Sequence, residues 1–216
     1  MYQNLKSNGV KNKEFVDPLT LEQLKLITDF LHQKKFLRDW CWVKLNIYMG
    51  LRASDLFNLK WNDFFYSNWS FKTQFKLIEM KSKKIRVIGI SKQMQNIILE
   101  YLNNYILLNN RYPDYYNYMF LSQKKNKKGQ YQGIGYKQGW YILNKVAEQV
   151  EIDQEITNVG NHSIRKSFCC ILFEEGVSID VIQMICNHAN KKDTYRYIGK
   201  TKEIKLKAQM KINLNF

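Results

Sequence analysis

The stretch 69–90, WSFKTQFKLIEMKSKKIRVIGI, decides the fold class of this chain. Its ends, about 69–79 and 84–90, hold short runs of β-branched and aromatic residues, and the polar Lys81-Ser82-Lys83-Lys84 separates them. That is the pattern of two strands joined by a turn. Almost everything around it reads as helix. Toward the N-terminus, Ser54 or a neighbour is placed to cap a short helix, and Gly50 to end a buried helix of about 36–49 in the left-handed conformation. Earlier, Thr20 and Gln23 have capping-box spacing ahead of Leu21, Leu24, Ile27, Phe30 and Leu31 at helical intervals. Toward the C-terminus, helical patterns cover about 92–109 and 136–150, with a polar, glycine-bearing connection at 123–135 between them. Three or four short helices follow, among them about 162–175 (stopped by Gly176), 178–187 and 192–198. The expected fold is mainly α with a small antiparallel β-sheet, an α+β unit over 18–200. A flexible basic arm (1–17) precedes it and a basic tail (201–216) follows. No internal repeat or second domain is visible.

Composition narrows the function classes. The 216 residues contain 34 Lys and Arg against 19 Asp and Glu, a net charge of +15, and that excess points to a polyanionic partner. The many Lys, Asn, Ile and Tyr residues also fit AT-rich coding DNA, so charge names a class of partner and no reaction. No apolar run reaches the roughly 18 residues of a membrane span, and the N-terminus lacks the apolar stretch of a signal peptide. A cytoplasmic, nucleoid-associated protein with no membrane partner is expected. Cys169 and Cys170 are adjacent, whereas Cys41 and Cys186 stand alone. This is neither a disulfide framework nor a metal pair, and the thiols read as free and buried.

Common cofactor sites are missing from the sequence. There is no phosphate-binding loop, Gly133-Ile134-Gly135 lacks the third glycine of a dinucleotide fingerprint, and no His or Cys cluster has metal-ligand spacing. Side chains alone can still break a phosphodiester. Two arginines clamp the non-bridging oxygens, a nucleophile attacks in line, and a general acid protonates the departing oxygen. Tyrosine suits the attack because its phosphate ester keeps the broken bond's energy for rejoining. With an ordinary pKa of about 10, it needs cations or a base nearby.

Such a set occurs in order along the chain. Gly50-Leu51-Arg52-Ala53-Ser54-Asp55-Leu56 puts an arginine at a helix junction, and in His162-Ser163-Ile164-Arg165 the histidine and arginine share a helix face. Cys186-Asn187-His188 then precedes Thr194-Tyr195-Arg196-Tyr197. Two of the three histidines fall in these segments. Together they resemble the tyrosine recombinase, or phage integrase, family, over residues 18 to about 200. There the first arginine lies in G-L-R-x-[ST]-[DE]-L, the second in H-x-x-R, and a histidine follows in G-H. The nucleophile usually comes nine residues after that histidine, which is Tyr197 here. Tyr195 is its rival, two residues away on the same helix. The family's hairpin lysine matches Lys81, with Lys83 and Lys84 as neighbours.

The resemblance implies the tyrosine recombinase catalytic-domain fold and site-specific recombination of double-stranded DNA without metal, ATP or other cofactor. It makes Tyr197 the nucleophile, Arg52 and Arg165 the phosphate clamp and His188 a further donor. Lys81 becomes the acid at the leaving oxygen, and His162 assists proton transfer at the tyrosine. Asp55 reads as a support for a neighbouring histidine or arginine, and Phe168, Cys169 and Ile171 as core. Self-association to a tetramer on DNA is implied, with 201–216 docking onto a neighbour and a place for accessory DNA-bending proteins. Two departures stand out: Asn187 where glycine usually precedes the histidine, and Gly89 where a proline often follows the strand. Most members also carry a helical core-binding domain, for which the residues before Pro18 are too few. The chain therefore resembles short members such as the fimbrial phase-variation invertases, or a piece of a longer integrase, with Met1 favouring a whole protein. Two alternatives share these motifs: DNA relaxation of the type IB topoisomerase kind, and a recombinase remnant that only binds DNA.

Overall fold

A helix that is apolar on nearly all sides has to sit at the centre of its domain, and α2 (Leu37–Met49) is such a helix, burying Leu37, Trp40, Cys41, Trp42, Val43, Leu45 and Met49. The computed structural model describes residues 16–126, 128–152 and 159–198. In it α2 packs against α1 (Leu21–Gln33), α5 (Lys92–Asn109) and α7 (Asn161–Glu174). Two four-residue turns of helix follow α2, α3 (Ala53–Leu56) and α4 (Trp61–Phe64). The antiparallel hairpin β1 (Gln74–Ile78) and β2 (Ile85–Gly89) comes next, with Ile78 paired to Ile85 beside the turn. A second hairpin, β3 (Leu121–Lys125) and β4 (Tyr131–Gly133), separates α5 from α6 (Tyr136–Gln149). The short α8 (Ile179–Ile185) and α9 (Lys191–Ile198) follow α7. The described architecture is mainly helical with small antiparallel sheets, as the sequence indicates.

Local signals act where the sequence puts them. Thr20 and Gln23 form the reciprocal capping box of α1. Gly50 ends α2 at φ 55°, and a β-carbon there would lie 2.2 Å from Cδ1 of Phe168, so both the backbone and the space demand glycine. Gly176 turns the chain after α7 at φ 83°.

Three expectations are corrected, and one element that the sequence did not display is added. Ser54 does not cap α3; Arg52 holds the N-cap position with no side-chain bond, which leaves its guanidinium free for the interior. The first strand begins at Gln74 rather than near 69, because Trp69 turns left-handed at φ 61° and Phe65 bridges to Phe71 ahead of the strand. The connection at 123–135 is largely a hairpin. Its strands are mostly exposed, so no period-two apolar pattern marks them. Helix α4 is a single turn, too short to show periodicity. The arm's residues 1–15 and the tail 201–216 lie outside the described residues. Val16 is held, its carbonyl accepting from Lys166 Nζ at 2.7 Å.

The interior divides in two. One large cluster runs through α1, α2, α5, α6 and the start of α7, and takes in Ile171 at its margin. A small one, Phe168, Cys169, Ile182, Cys186 and Ile198, joins α8 and α9 to α7. All four cysteines are free thiols; Cys41, Cys169 and Cys186 are buried and Cys170 is half-buried. Among the described residues no helix is long and apolar enough to cross a membrane.

Candidate active site

The site is built around the carbonyl of Gly50. Because α2 ends there in the left-handed conformation, that carbonyl is turned out of the helix. It accepts from Arg165 Nη1 at 2.6 Å and from Arg86 Nη1 at 3.5 Å. Arg86 also donates to the carbonyl of Met49, and Asn46 Oδ1 accepts from the amide of Leu51 at 2.7 Å, fixing the approach to Arg52. The second Nη of Arg165 reaches the Cys186 carbonyl at 2.7 Å. Arg165 is wholly buried, yet these partners are neutral and its Nε has none. Its full positive charge therefore remains available to an anion.

Arg52 reaches the same region from the start of α3. Its Nη1 lies 2.8 Å from Glu79 Oε2 and 3.9 Å from Asp55 Oδ2, a charge contact without an aligned hydrogen bond. Both carboxylates are buried. Burial pushes Asp55 upward from the ordinary carboxylate range. Burial also acts upward on Glu79, but the Ser82 hydroxyl and Arg52 outweigh it and leave that carboxyl lowered. Lys81 is exposed in the turn between β1 and β2, and among the described residues its ammonium has no hydrogen-bond or ion-pair partner.

Two imidazoles and a phenol complete the set. His188 follows α8, its Nδ1 2.9 Å from Thr194 Oγ1 on α9 and its Nε2 buried without a partner. Burial, with Arg165 and Arg52 nearby, holds His188 down to about 4. It is neutral near pH 7. If Nδ1 accepts from the threonine hydroxyl, Nε2 carries the proton and is a donor. His162, half-buried near the start of α7, has a buried Nδ1 with no partner. Its pKa is lowered by burial and by the cations Arg165, Arg52, Lys166 and Lys81. The ring of Tyr197 on α9 lies 4.6 Å from that of His188, with the guanidinium of Arg165 5.8 Å from its centroid. Tyr195, about 200° away around the helix, makes neither contact.

Tyr197 thus lies against both His188 and Arg165. Arg52 and Arg165 act together on Asp55, Glu79, His162 and His188, and Lys81 stands at the exposed rim, close enough to lower His162. Among the described residues, Arg52 Nη1, His162 Nδ1, Arg165 Nε and His188 Nε2 are all buried without a hydrogen-bond partner. A bound anion with several oxygens would satisfy donors so arranged. One of the two departures from the motifs has a structural cause, and the other has no structural explanation. Asn187 has φ 49°, a conformation asparagine tolerates better than any other residue with a β-carbon. Gly89 has open space where a β-carbon would stand, so nothing there requires glycine or proline. Sequence reasoning did not single out Glu79 or Thr194. The only available signal was Glu79 as the lone acid in the basic run 76–86.

An arginine-rich cluster with a tyrosine on a C-terminal helix, carried by this α+β fold, defines a class that comparison with known proteins identifies. Residues 18–203 match the phage integrase family, and the chain belongs to that family. It is 31% identical over 186 residues to tyrosine recombinase XerA of Pyrococcus horikoshii, covering 86% of this chain and 57% of that protein. The chain therefore spans a little over half the length of that relative. The crystal structure of XerA recombinase superposes with a TM-score of 0.67 at 18% identity, covering 94% of this chain and 68% of the other. That of XerH site-specific recombinase bound to palindromic difH substrate, a post-cleavage complex, superposes at 0.65 and 18%, covering 92% and 55%. These two likenesses establish the fold.

Proposed function

We propose that the protein is a site-specific recombinase that cuts and rejoins double-stranded DNA through a tyrosyl phosphodiester. One observation carries this reading: Tyr197 lies against His188 and the buried Arg165, each with a ring or guanidinium nitrogen left without a hydrogen-bond partner, and Arg52 and Arg165 both act on His162 and His188. Tyr197 Oη attacks the scissile phosphorus as the bond to the 5′-oxygen breaks, leaving a 3′-phosphotyrosyl ester. Arg52 and Arg165 hold the non-bridging oxygens and His188 donates a third hydrogen bond. Neutral His162 takes the phenolic proton, and Lys81 protonates the departing 5′-oxygen. A 5′-hydroxyl from a partner strand reverses the step. Net charge of +15 supplies non-specific attraction to the phosphate backbone. By analogy with the family, four protomers assemble on two duplexes, 201–216 docks onto a neighbouring protomer, and accessory proteins bend the DNA.

A nicked suicide duplex tests the reading, because loss of the short fragment beside the nick prevents reversal. Wild-type protein is expected to leave an adduct that survives denaturation, Tyr195→Phe to retain it, and Tyr197→Phe to abolish it. An adduct with Tyr197→Phe but none with Tyr195→Phe moves the nucleophile to Tyr195.

A further inference from the structure

Glu79 reaches from the first arginine to the lysine turn with a single carboxylate oxygen. Its side chain is 0% exposed, an unusual position for an acid in a site suited to an anion. It shapes the turn through its backbone, the amide donating to the Lys84 carbonyl at 3.0 Å and the carbonyl accepting from Lys83 at 2.9 Å. Through its side chain it binds both sides of the site. Oε2 accepts from the Ser82 hydroxyl at 2.5 Å and lies 2.8 Å from Arg52 Nη1. Asp55, also within 3.9 Å of Arg52, accepts from the amide of Met80 at 2.8 Å. Lys81 thus sits between two residues, Met80 and Ser82, each tied to a carboxylate that faces Arg52. The lysine side chain itself is exposed and has no fixed partner, so these ties on its backbone are what limit where its ammonium can reach.

We propose that Glu79 is a positioning residue that couples the phosphate-holding Arg52 to the proton-donating Lys81, fixing the guanidinium with one oxygen and, through Ser82, the turn that carries the lysine. The inference rests on the roles given to those two residues under the proposed function. It makes a prediction that electrostatics alone does not. A negative charge beside Arg52 opposes phosphate binding, so Glu79→Ala should bind DNA as tightly as wild type or more tightly. Misplacing the donor should nevertheless slow cleavage, by about 10²-fold.

The experiment compares adduct formation by folded variants on two nicked duplexes, one with an ordinary scissile phosphate and one with sulfur in place of the 5′-bridging oxygen. The phosphorus–sulfur bond breaks to release a thiolate, which leaves without a proton. On the ordinary duplex, Glu79→Ala and Lys81→Ala are expected to be slow, and Glu79→Gln, which still accepts from Ser82, to recover most of the rate. On the sulfur duplex, Lys81→Ala should approach wild type and Glu79→Ala should recover the part of its loss that runs through the lysine turn, while Arg52→Ala stays slow. Should Glu79→Ala not fold, Ser82→Ala cuts the tie to the turn alone and is expected to show a smaller defect that sulfur also relieves. Wild-type rates for Glu79→Ala on the ordinary duplex, or an equal loss on both duplexes for Glu79→Ala and Ser82→Ala, would overturn the inference while Lys81→Ala still supports the underlying reading. No adduct from wild type, or no relief of Lys81→Ala by sulfur, overturns both.

Discussion

Both histidines of the candidate site are held neutral by their surroundings, and this links the site to the stability of the fold. In the unfolded chain an imidazole takes up its proton near pH 6.5. Folded His188 does so only at about 4, because it is buried and faces Arg165 and Arg52, with Asp193 and Glu79 opposing them weakly. His162 is lowered in the same direction. Between these values the unfolded state binds more protons, so this contribution is complete above about 6.5 and is lost as pH falls toward 4. The urea midpoint of wild type is expected to drop more from pH 7 to pH 5 than that of His188→Asn. Equal drops would show that His188 protonates as readily in the folded protein as in the unfolded chain. At this scale the sequence displayed both histidines, both arginines, Lys81 and the two tyrosines as candidates. It did not display Glu79 or Thr194, because a carboxylate or hydroxyl that acts by holding another side chain has no spacing rule.

At the scale of elements, the junction between α2 and α3 governs the site. Gly50 delivers its carbonyl to Arg165 and Arg86 only while it stays left-handed. Gly50→Ala is expected to cost about 1–3 kcal/mol, combining backbone strain with the collision against Phe168. Thermal denaturation reads the loss, and an unchanged midpoint would mean that Phe168 moves aside without cost. Asn187→Gly should leave the midpoint unchanged or raised, since the position is left-handed and the Asn187 amide nitrogen has no partner. A clear fall in the midpoint would mean the side chain holds the turn before His188. Helices α1, α2, α5 and α6 and the first hairpin were legible because their caps and periodicities are local. The second hairpin was not, since a ribbon exposed on both faces carries no alternation.

At the scale of the molecule, His188 and Tyr197 belong to a part of the protein with its own small core. Five buried residues hold α8 and α9 to α7, whereas Arg52 stands on the large cluster. So small a core opens more readily than the whole domain unfolds. Ile182→Ala, which empties its centre, is expected to speed amide exchange across α8 and α9 and to slow adduct formation, while protection in α1 and α2 stays near wild type. Exchange rising equally throughout would show that the two clusters unfold as one.

The sequence by itself determined the fold class, most of the helices and the first hairpin, and offered the candidate site residues with Tyr195 beside Tyr197 and Lys83 and Lys84 beside Lys81, since periodicity, caps and motif spacing are written along the chain. Only the tertiary structure decided that Tyr197 rather than Tyr195 lies against Arg165 and His188, that Glu79 pairs with Arg52, and that, among the described residues, His162 Nδ1, Arg165 Nε and His188 Nε2 are left without a hydrogen-bond partner. Those facts depend on how distant segments pack, as where Arg165 reaches the Gly50 carbonyl 115 positions away. Packing fixes such contacts, and no local pattern encodes them.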